Sequence, residues 1–321
     1  MSTGGSTRAI LAALFANLGI AIAKFIGFLF TSSSSMLAES VHSVADTGNQ
    51  ALLLLGGRRS RREATQQHPF GFGRERFFWA FVVSIVLFTL GSAFALYEGI
   101  EKLLHPHELE SAEWAIGILL VAICLESWSF RTAVKEARPL KGNASWVRFI
   151  RRSKQPELPV VLLEDAGALI GLVLALAAVG MSIITGNAVW DGVGTTCIGV
   201  LLGAIAIVLA IEMKSLLIGE AASEADEAAI TAAIVGADSV RQLIDLRTEH
   251  IGPETILVAA KVQFDDGLTM RELADVVDAL EARVRGAVPA AARIFVEPDV
   301  VRPMTAAQVV PEEPGAGHDH H

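Results

Sequence analysis

Cysteine is nearly absent. The 321 residues hold two, Cys124 and Cys197, each inside an apolar stretch and without C-x-x-C spacing. That excludes a disulfide framework and a cysteine-built zinc or redox centre, and the two thiols are expected to fill the core. Basic charge is in deficit, with 26 Lys and Arg against 35 Asp and Glu and a net charge of −9. No basic patch offers a nucleic-acid footprint, so nucleic acid is not an expected partner. No H-E-x-x-H motif occurs, which disfavours an intramembrane metal-dependent hydrolase. The first apolar stretch lacks a small-residue cleavage site, so a removable signal peptide is not expected.

Apolar residues, by contrast, are in excess. They make up 52% of the chain, with a mean hydropathy of +0.48, beyond the roughly 45–50% usual for a soluble domain even with glycine counted. Nearly all of the excess lies before residue 219. A membrane-spanning helix needs about 20 mostly apolar residues, and six stretches qualify: 8–30, 36–56, 78–101, 112–135, 158–184 and 191–213. The second is the weakest, because Glu39, His42, Asp46, Asn49 and Gln50 interrupt it.

Orientation follows from the bias of Lys and Arg among the short loops. Arg58, Arg59, Arg61, Arg62, Arg74 and Arg76 lie between spans two and three, and Arg138, Lys141, Arg148, Arg151, Arg152 and Lys154 between spans four and five. The opposite loops, near 31–35, 102–111 and 185–190, carry only Lys102. Both termini are therefore expected in the cytoplasm. The loop 137–157, without apolar periodicity, reads as a linker dividing the bundle into four plus two helices.

Beyond residue 219 the pattern changes to that of a soluble α+β domain. Ala222–Val235 and Thr269–Arg285 have helical period, while Ser239–Glu249, Thr255–Phe264 and Ala292–Pro298 have strand character. His250–Glu254 reads as the hairpin turn, with His250 facing solvent beside Glu249 and Glu254. The expected fold is a helical membrane bundle of six spans, residues 8–218, followed by an αββαβ domain, residues 219–300. Residues 301–321, ending His318-Asp319-His320-His321, read as a disordered tail and a weak chelator.

Ionisable groups inside hydrocarbon cost about 2.5–3.5 kcal/mol each on insertion scales, so several together need a reason. His42 and Asp46 are four residues apart and share a helix face, with Glu39 three residues before His42. In span five Glu164 and Asp165 interrupt an apolar run, followed by the small residues Ala166, Gly167, Ala168 and Gly171 that permit close helix approach. One imidazole with two or three carboxylates is a nitrogen and oxygen donor set suited to Zn²⁺, Mn²⁺, Fe²⁺ or Co²⁺, and the lack of cysteine argues against Cu⁺. The alternative is a hydrogen-bonded cluster that only joins two helices, although such contacts usually use Ser, Thr or Asn. Asn17, Lys24 and Glu126 are further intramembrane polar residues, read as packing or snorkelling groups or as part of an ion path.

These residues resemble the cation diffusion facilitator family, zinc transporters that exchange a divalent metal for protons. The likeness covers residues 8–298. It rests on the run from Ser35 to Asp46, which contains Glu39 and His42; on His68-Pro69-Phe70-Gly71-Phe72-Gly73-Arg74 before span three; and on the αββαβ tail. The resemblance implies a metal site of His42, Asp46 and Asp165, with Glu164 and Glu39 beside them. Val161 stands where the family usually has a further span-five ligand, and Glu164 is the candidate substitute. The run Leu162-Leu163-Glu164-Asp165 is similar to the branch that holds the family's mitochondrial and nuclear-associated member. Of the family's other metal positions only His68 remains in the loop, beside Thr65 and Phe72. In the tail domain Ile244, Ala260 and Phe295 leave Glu297 alone, with His250 as a weak surface candidate.

The resemblance thus implies a divalent-cation exporter, zinc foremost, that is not an enzyme and has no cofactor, the metal being its transported substrate. Its expected partners are a second copy of itself, membrane lipid, divalent cations and protons. The Ala- and Arg-rich composition points to a bacterial inner membrane. A non-transporting metal sensor or scaffold is the rival function.

Overall fold

The computed structural model describes residues 3–31, 34–106 and 112–301, with the backbone alone for residues 3–5, 27–28, 30–31, 34–42, 45, 112 and 114–115. The tail after residue 301, expected to be disordered, lies outside the described residues. Two compact units form among the described residues, one reaching Glu220 and including His250–Thr255, the other holding Ala221–Glu249 and the segment from Ile256 to Val301.

The first unit is helical: α1 Thr3–Thr31, α2 Ser34–Arg59, α3 Glu75–Val86, a π-helical segment Leu87–Ala93, α4 Phe94–Leu104, α5 Ala112–Lys141, α6 Trp146–Arg152, α7 Glu157–Thr185 and α8 Val189–Ile218. Among the described residues five stretches are long and apolar enough to cross a membrane: Ser6–Ile26, Glu75–Leu104, Ile116–Lys141, Glu157–Thr185 and Val189–Ile218. At 26 residues α2 is long enough as well, about 39 Å at 1.5 Å per residue. Its carboxylates, imidazole and amides keep it out of the apolar set. Large apolar side chains such as Leu29, Tyr97, Ile184, Val200 and Ile211 point outward from these helices. Such a surface is a liability in water and the expected one against lipid tails.

Helix α1 packs on α2 and α5, α5 on α7, and α4 with the π segment on α8. The α4–α8 approach is close enough to require glycine, since a Cβ on Gly99 would stand 2.6 Å from the Thr196 backbone nitrogen. Beside it the Ser92 hydroxyl donates to the Gly199 carbonyl at 2.8 Å, a contact across helices at the point where the α-helical ladder widens. At the far end of the same pair Lys102 lies 3.0 Å from both Glu98 and Asp191.

Two sequence expectations fail in this unit. The segment 137–157 is not a plain linker: α5 continues to Lys141, and α6 follows, started by the Ser145 side chain accepting from the Arg148 amide at 3.2 Å. With two turns and only Phe149 buried, α6 is too short to show an apolar period. Nor do the cysteines fill the core, because both thiols are free and exposed on outward helix faces. An apolar run does not by itself reveal which side of a membrane helix faces inward.

The second unit holds α9 Glu224–Val235, β1 Val240–Gly252 as far as Glu249, β2 Thr255–Phe264 from Ile256, α10 Met270–Ala287 and β3 Ala291–Pro298. The sheet order is β1-β2-β3, with β2 and β3 parallel and Val258 opposite Ile294. Alternate β2 residues, Ile256, Val258, Ala260 and Val262, meet Ile230 and Ile234 of α9 and Leu280 and Val284 of α10 in one core. A capping box starts α10: the Thr269 hydroxyl accepts from the Glu272 amide, and the Glu272 carboxylate accepts from the Thr269 amide at 2.8 Å. Hydrogen bonds from Thr269 hold the Glu272 carboxyl below the usual glutamate range. A depressed carboxyl stabilises the folded state at neutral pH and ceases to do so as pH falls through its lowered value. Thr269→Ala is therefore expected to speed amide exchange at Glu272 and Leu273 at neutral pH, with the difference from the parent shrinking under acid; hydrogen-exchange mass spectrometry reads it.

Candidate metal-translocation site

Helix α7 carries the two side chains around which the site is organised. Glu164 and Asp165 are consecutive, so they leave the helix about 100° apart and reach different neighbours. Glu164 turns to α2, where Asn49 donates to its Oε1 at 3.1 Å and Gln50 to its Oε2 at 3.0 Å. Asp165 turns to α5 and accepts the Ser129 hydroxyl on Oδ2 at 2.6 Å. All five side chains are buried, with Asp165, Asn49, Gln50 and Ser129 at 1% exposure or less. A carboxylate in hydrocarbon survives only where it is hydrogen-bonded or paired, and the two α7 carboxylates obtain their donors from opposite sides.

Asp46, one turn before Asn49 and Gln50, is partly buried and within electrostatic reach of Glu164. Glu126 on α5 is buried and within reach of Asp165, Glu164, Asp46 and the Lys24 ammonium of α1. The structure thus brings Asp46, Glu126, Glu164 and Asp165 into one electrostatic neighbourhood. The side chains of His42 and Glu39 lie outside the described residues, although both positions are on the α2 backbone. Among the described residues no three His, Cys, Asp or Glu side chains are arranged as a metal-binding group. Val161 is fully buried in the apolar core.

Ser129 was not among the sequence candidates. One signal marked it: it follows Glu126 by three residues in a span, so the two share a face. Asn49 and Gln50 were visible only as interruptions of α2, and their task of holding Glu164 needed the neighbouring helix.

The peripheral candidates behave differently. His68 lies exposed in the α2–α3 loop, its ring 4.6 Å from that of Phe72. Glu297 is engaged by Lys261 at 3.0 Å, and that bond is the largest cause of the raised Lys261 pKa. His250 corrects the sequence reading. Strand β1 runs on through Gly252, so the turn shrinks to Pro253 and Glu254, and His250 is 4% exposed with its amide donating to the Glu220 carbonyl at 2.8 Å. Turn-forming residues after it had masked the strand's continuation. Glu297→Gln is expected to leave cation flux within about twofold of the parent, because an exposed ion pair contributes little; a larger loss in liposome flux would assign Glu297 a role in transport.

Helices with lipid-compatible outer faces and a buried carboxylate layer define an integral membrane protein, with a small αββαβ unit attached. Residues 10–218 match the cation efflux transmembrane domain, and residues 222–299 match the cytoplasmic domain of cation efflux proteins. The chain belongs to the cation efflux, or cation diffusion facilitator, family, whose members are transporters rather than enzymes. It is 34% identical over 251 residues to the proton-coupled zinc antiporter SLC30A9, mitochondrial, of Xenopus laevis, covering 77% of this chain and 45% of that protein. It is 33% identical over 271 residues to metal tolerance protein C4 of Arabidopsis thaliana, covering 83% and 59%. With the cation-efflux pump FieF of Klebsiella pneumoniae it shares 24% identity over 306 residues, covering 95% and 94%. The chain therefore spans about half the length of the SLC30A9 relatives it matches.

Proposed function

We propose that this protein exports a divalent cation, zinc foremost, in exchange for protons, by alternating access in a homodimer. The observation that carries the reading is the pair Glu164 and Asp165, two buried carboxylates of α7 that accept hydrogen bonds from donors on α2 and α5. Asp46 and His42 of α2 complete the donor set with Asp165 and Glu164, and Glu39 lies one turn further along α2. Mn²⁺, Fe²⁺, Co²⁺ and Cd²⁺ are the competing cargoes for such a set. Each ligand binds metal only when deprotonated, so proton uptake at the site releases the ion.

Six spans follow if α2 crosses with the five apolar helices, its polar face turned inward. An even number of spans and the arginines of the α2–α3 and α5–α7 connections support both termini in the cytoplasm of a bacterial inner membrane. Domain limits of 8–218 and 219–300, with residues 301–321 as a tail, accompany this topology. The αββαβ unit serves in dimerisation, a role supported by its match to a cytoplasmic cation efflux domain. Zinc counterflow into proteoliposomes, with and without an imposed pH gradient, tests the proposal. Uptake that is absent under every gradient would favour a metal sensor or scaffold.

His42→Asp tests the imidazole. A carboxylate in its place hardens the site, so the ratio of Mn²⁺ to Zn²⁺ flux is expected to rise. The variant also lacks the one group whose free pKa, about 6.5, lies nearest neutrality, so the pH of half-maximal flux is expected to fall. An unchanged metal ratio with an unchanged pH midpoint would remove His42 from both roles.

A further inference from the structure

The three carboxylates that α5 and α7 bury, Glu126, Glu164 and Asp165, are not equally supplied. Glu164 has two amide donors and Asp165 a hydroxyl. Glu126 is 3% exposed, and among the described residues its Oε2 has no hydrogen-bond partner. It precedes Ser129 by three residues, so the α5 face that presents a hydroxyl to Asp165 also presents Glu126. Two more acceptors, Oδ1 of Asn49 and Oε1 of Gln50, have no donor among the described residues, while each of these amides gives one N–H to Glu164. A buried acceptor without a donor is costly, the more so when it belongs to a carboxylate. Asn49 and Gln50 each give one N–H to Glu164, the Ser129 hydroxyl is given to Asp165, and among the described residues no donor reaches Glu126 Oε2. What fits a buried carboxylate oxygen without a donor, within electrostatic reach of Asp165, Glu164 and Asp46, is a cation.

We infer that Glu126 is a ligand of the transported divalent cation, so that the ion is held by side chains of three helices, α2, α5 and α7, rather than of α2 and α7 alone. This rests on the transport reading above and extends it to a helix on which the family resemblance places no ligand. Ser129 is then a positioning residue, setting the Asp165 carboxylate toward the same ion. The added donor is a hard oxygen, which biases the site toward Zn²⁺ and Mn²⁺ over softer ions. Because α5 also packs on α1, a cation bridging Glu126 to Asp165 ties the α1–α5 side of the bundle to α7 when the site is loaded.

The test uses the full chain in lipid nanodiscs, with Cys124 and Cys197 replaced by serine and Cd²⁺ as the probe. Glu126→Cys puts a thiol at the inferred ligand position, and Cd²⁺ is expected to raise a cadmium–thiolate charge-transfer band that chelator abolishes. In the otherwise native chain Glu126→Gln keeps the shape and removes the charge, and it is expected to weaken equilibrium Zn²⁺ binding by at least about tenfold, with Glu126→Asp recovering part of the loss. No thiolate band, together with Glu126→Gln binding Zn²⁺ within about twofold of the parent, overturns the inference. If Glu126→Gln does not fold, the Cd²⁺ band of the cysteine variant decides alone. Asp165→Asn separates this failure from that of the transport reading. If it abolishes Zn²⁺ binding while the Glu126 variants match the parent, only the three-helix site is wrong; if it too binds normally, the α2–α7 site is wrong as well.

Discussion

Asp165→Ala and Asp46→Ala are each expected to reduce zinc flux more than about a hundredfold while leaving expression and assembly intact. Asp165 is 1% exposed and accepts the Ser129 hydroxyl at 2.6 Å, and among the described residues its carboxylate forms no ion pair that holds the helices together. Removing it takes a charge from the site without leaving an opposite charge stranded. Asp46 stands on α2, within reach of Glu164 and Glu126, and supplies charge from the other side. A small site that strips a divalent ion of its water cannot spare either carboxylate. Stopped-flow fluorescence of a zinc indicator inside proteoliposomes reads the rate, and transport at the parent rate by either variant would remove that residue from the path.

The second large effect concerns stability. Arg76 at the start of α3 and Glu157 at the start of α7 form a two-point ion pair, with Arg76 Nη2 at 2.8 Å from Glu157 Oε2 and Nε on Oε1. The side chains are 10% and 3% exposed. Breaking such a buried pair from one side leaves the other charge uncompensated, at a cost of about 3–5 kcal/mol. Arg76→Met is therefore expected to lower the thermal midpoint in detergent markedly. The double substitution Arg76→Met with Glu157→Leu should recover most of the loss, because a well-packed apolar pair avoids the desolvation of both ions. Differential scanning fluorimetry on the parent and the variants measures this. A midpoint unchanged in Arg76→Met would mean that the pair contributes nothing to holding α3 against α7.

The gap between residues and structure is widest where neighbours decide. His42, Asp46, Glu164 and Asp165 stood out in the sequence because charge inside an apolar run is costly wherever it occurs. Glu126 stood out for the same reason, but its face did not, since one helix in isolation has no inside. Asn49 and Gln50 count as interruptions until α7 comes alongside and Glu164 accepts hydrogen bonds from their amides. The exposed cysteines and the buried His250 were misjudged for a shared reason: burial depends on what packs against a residue, and in both cases the local pattern pointed the other way.

What the sequence determined by itself was the five apolar helices, the switch to an αββαβ pattern after residue 219, and the presence of carboxylates where lipid-facing helices carry none. These follow from terms summed along the chain: the apolar length needed to cross hydrocarbon, the periods of helix and strand, and the cost of burying a charge. The tertiary structure alone decided that Glu164 faces α2 while Asp165 faces α5, that Ser129 is the donor to Asp165, that Arg76 finds Glu157 and that Glu126 keeps an open oxygen. Each depends on the rotation of one helix against another, which is set by packing between residues distant in sequence, such as Gly99 against Thr196.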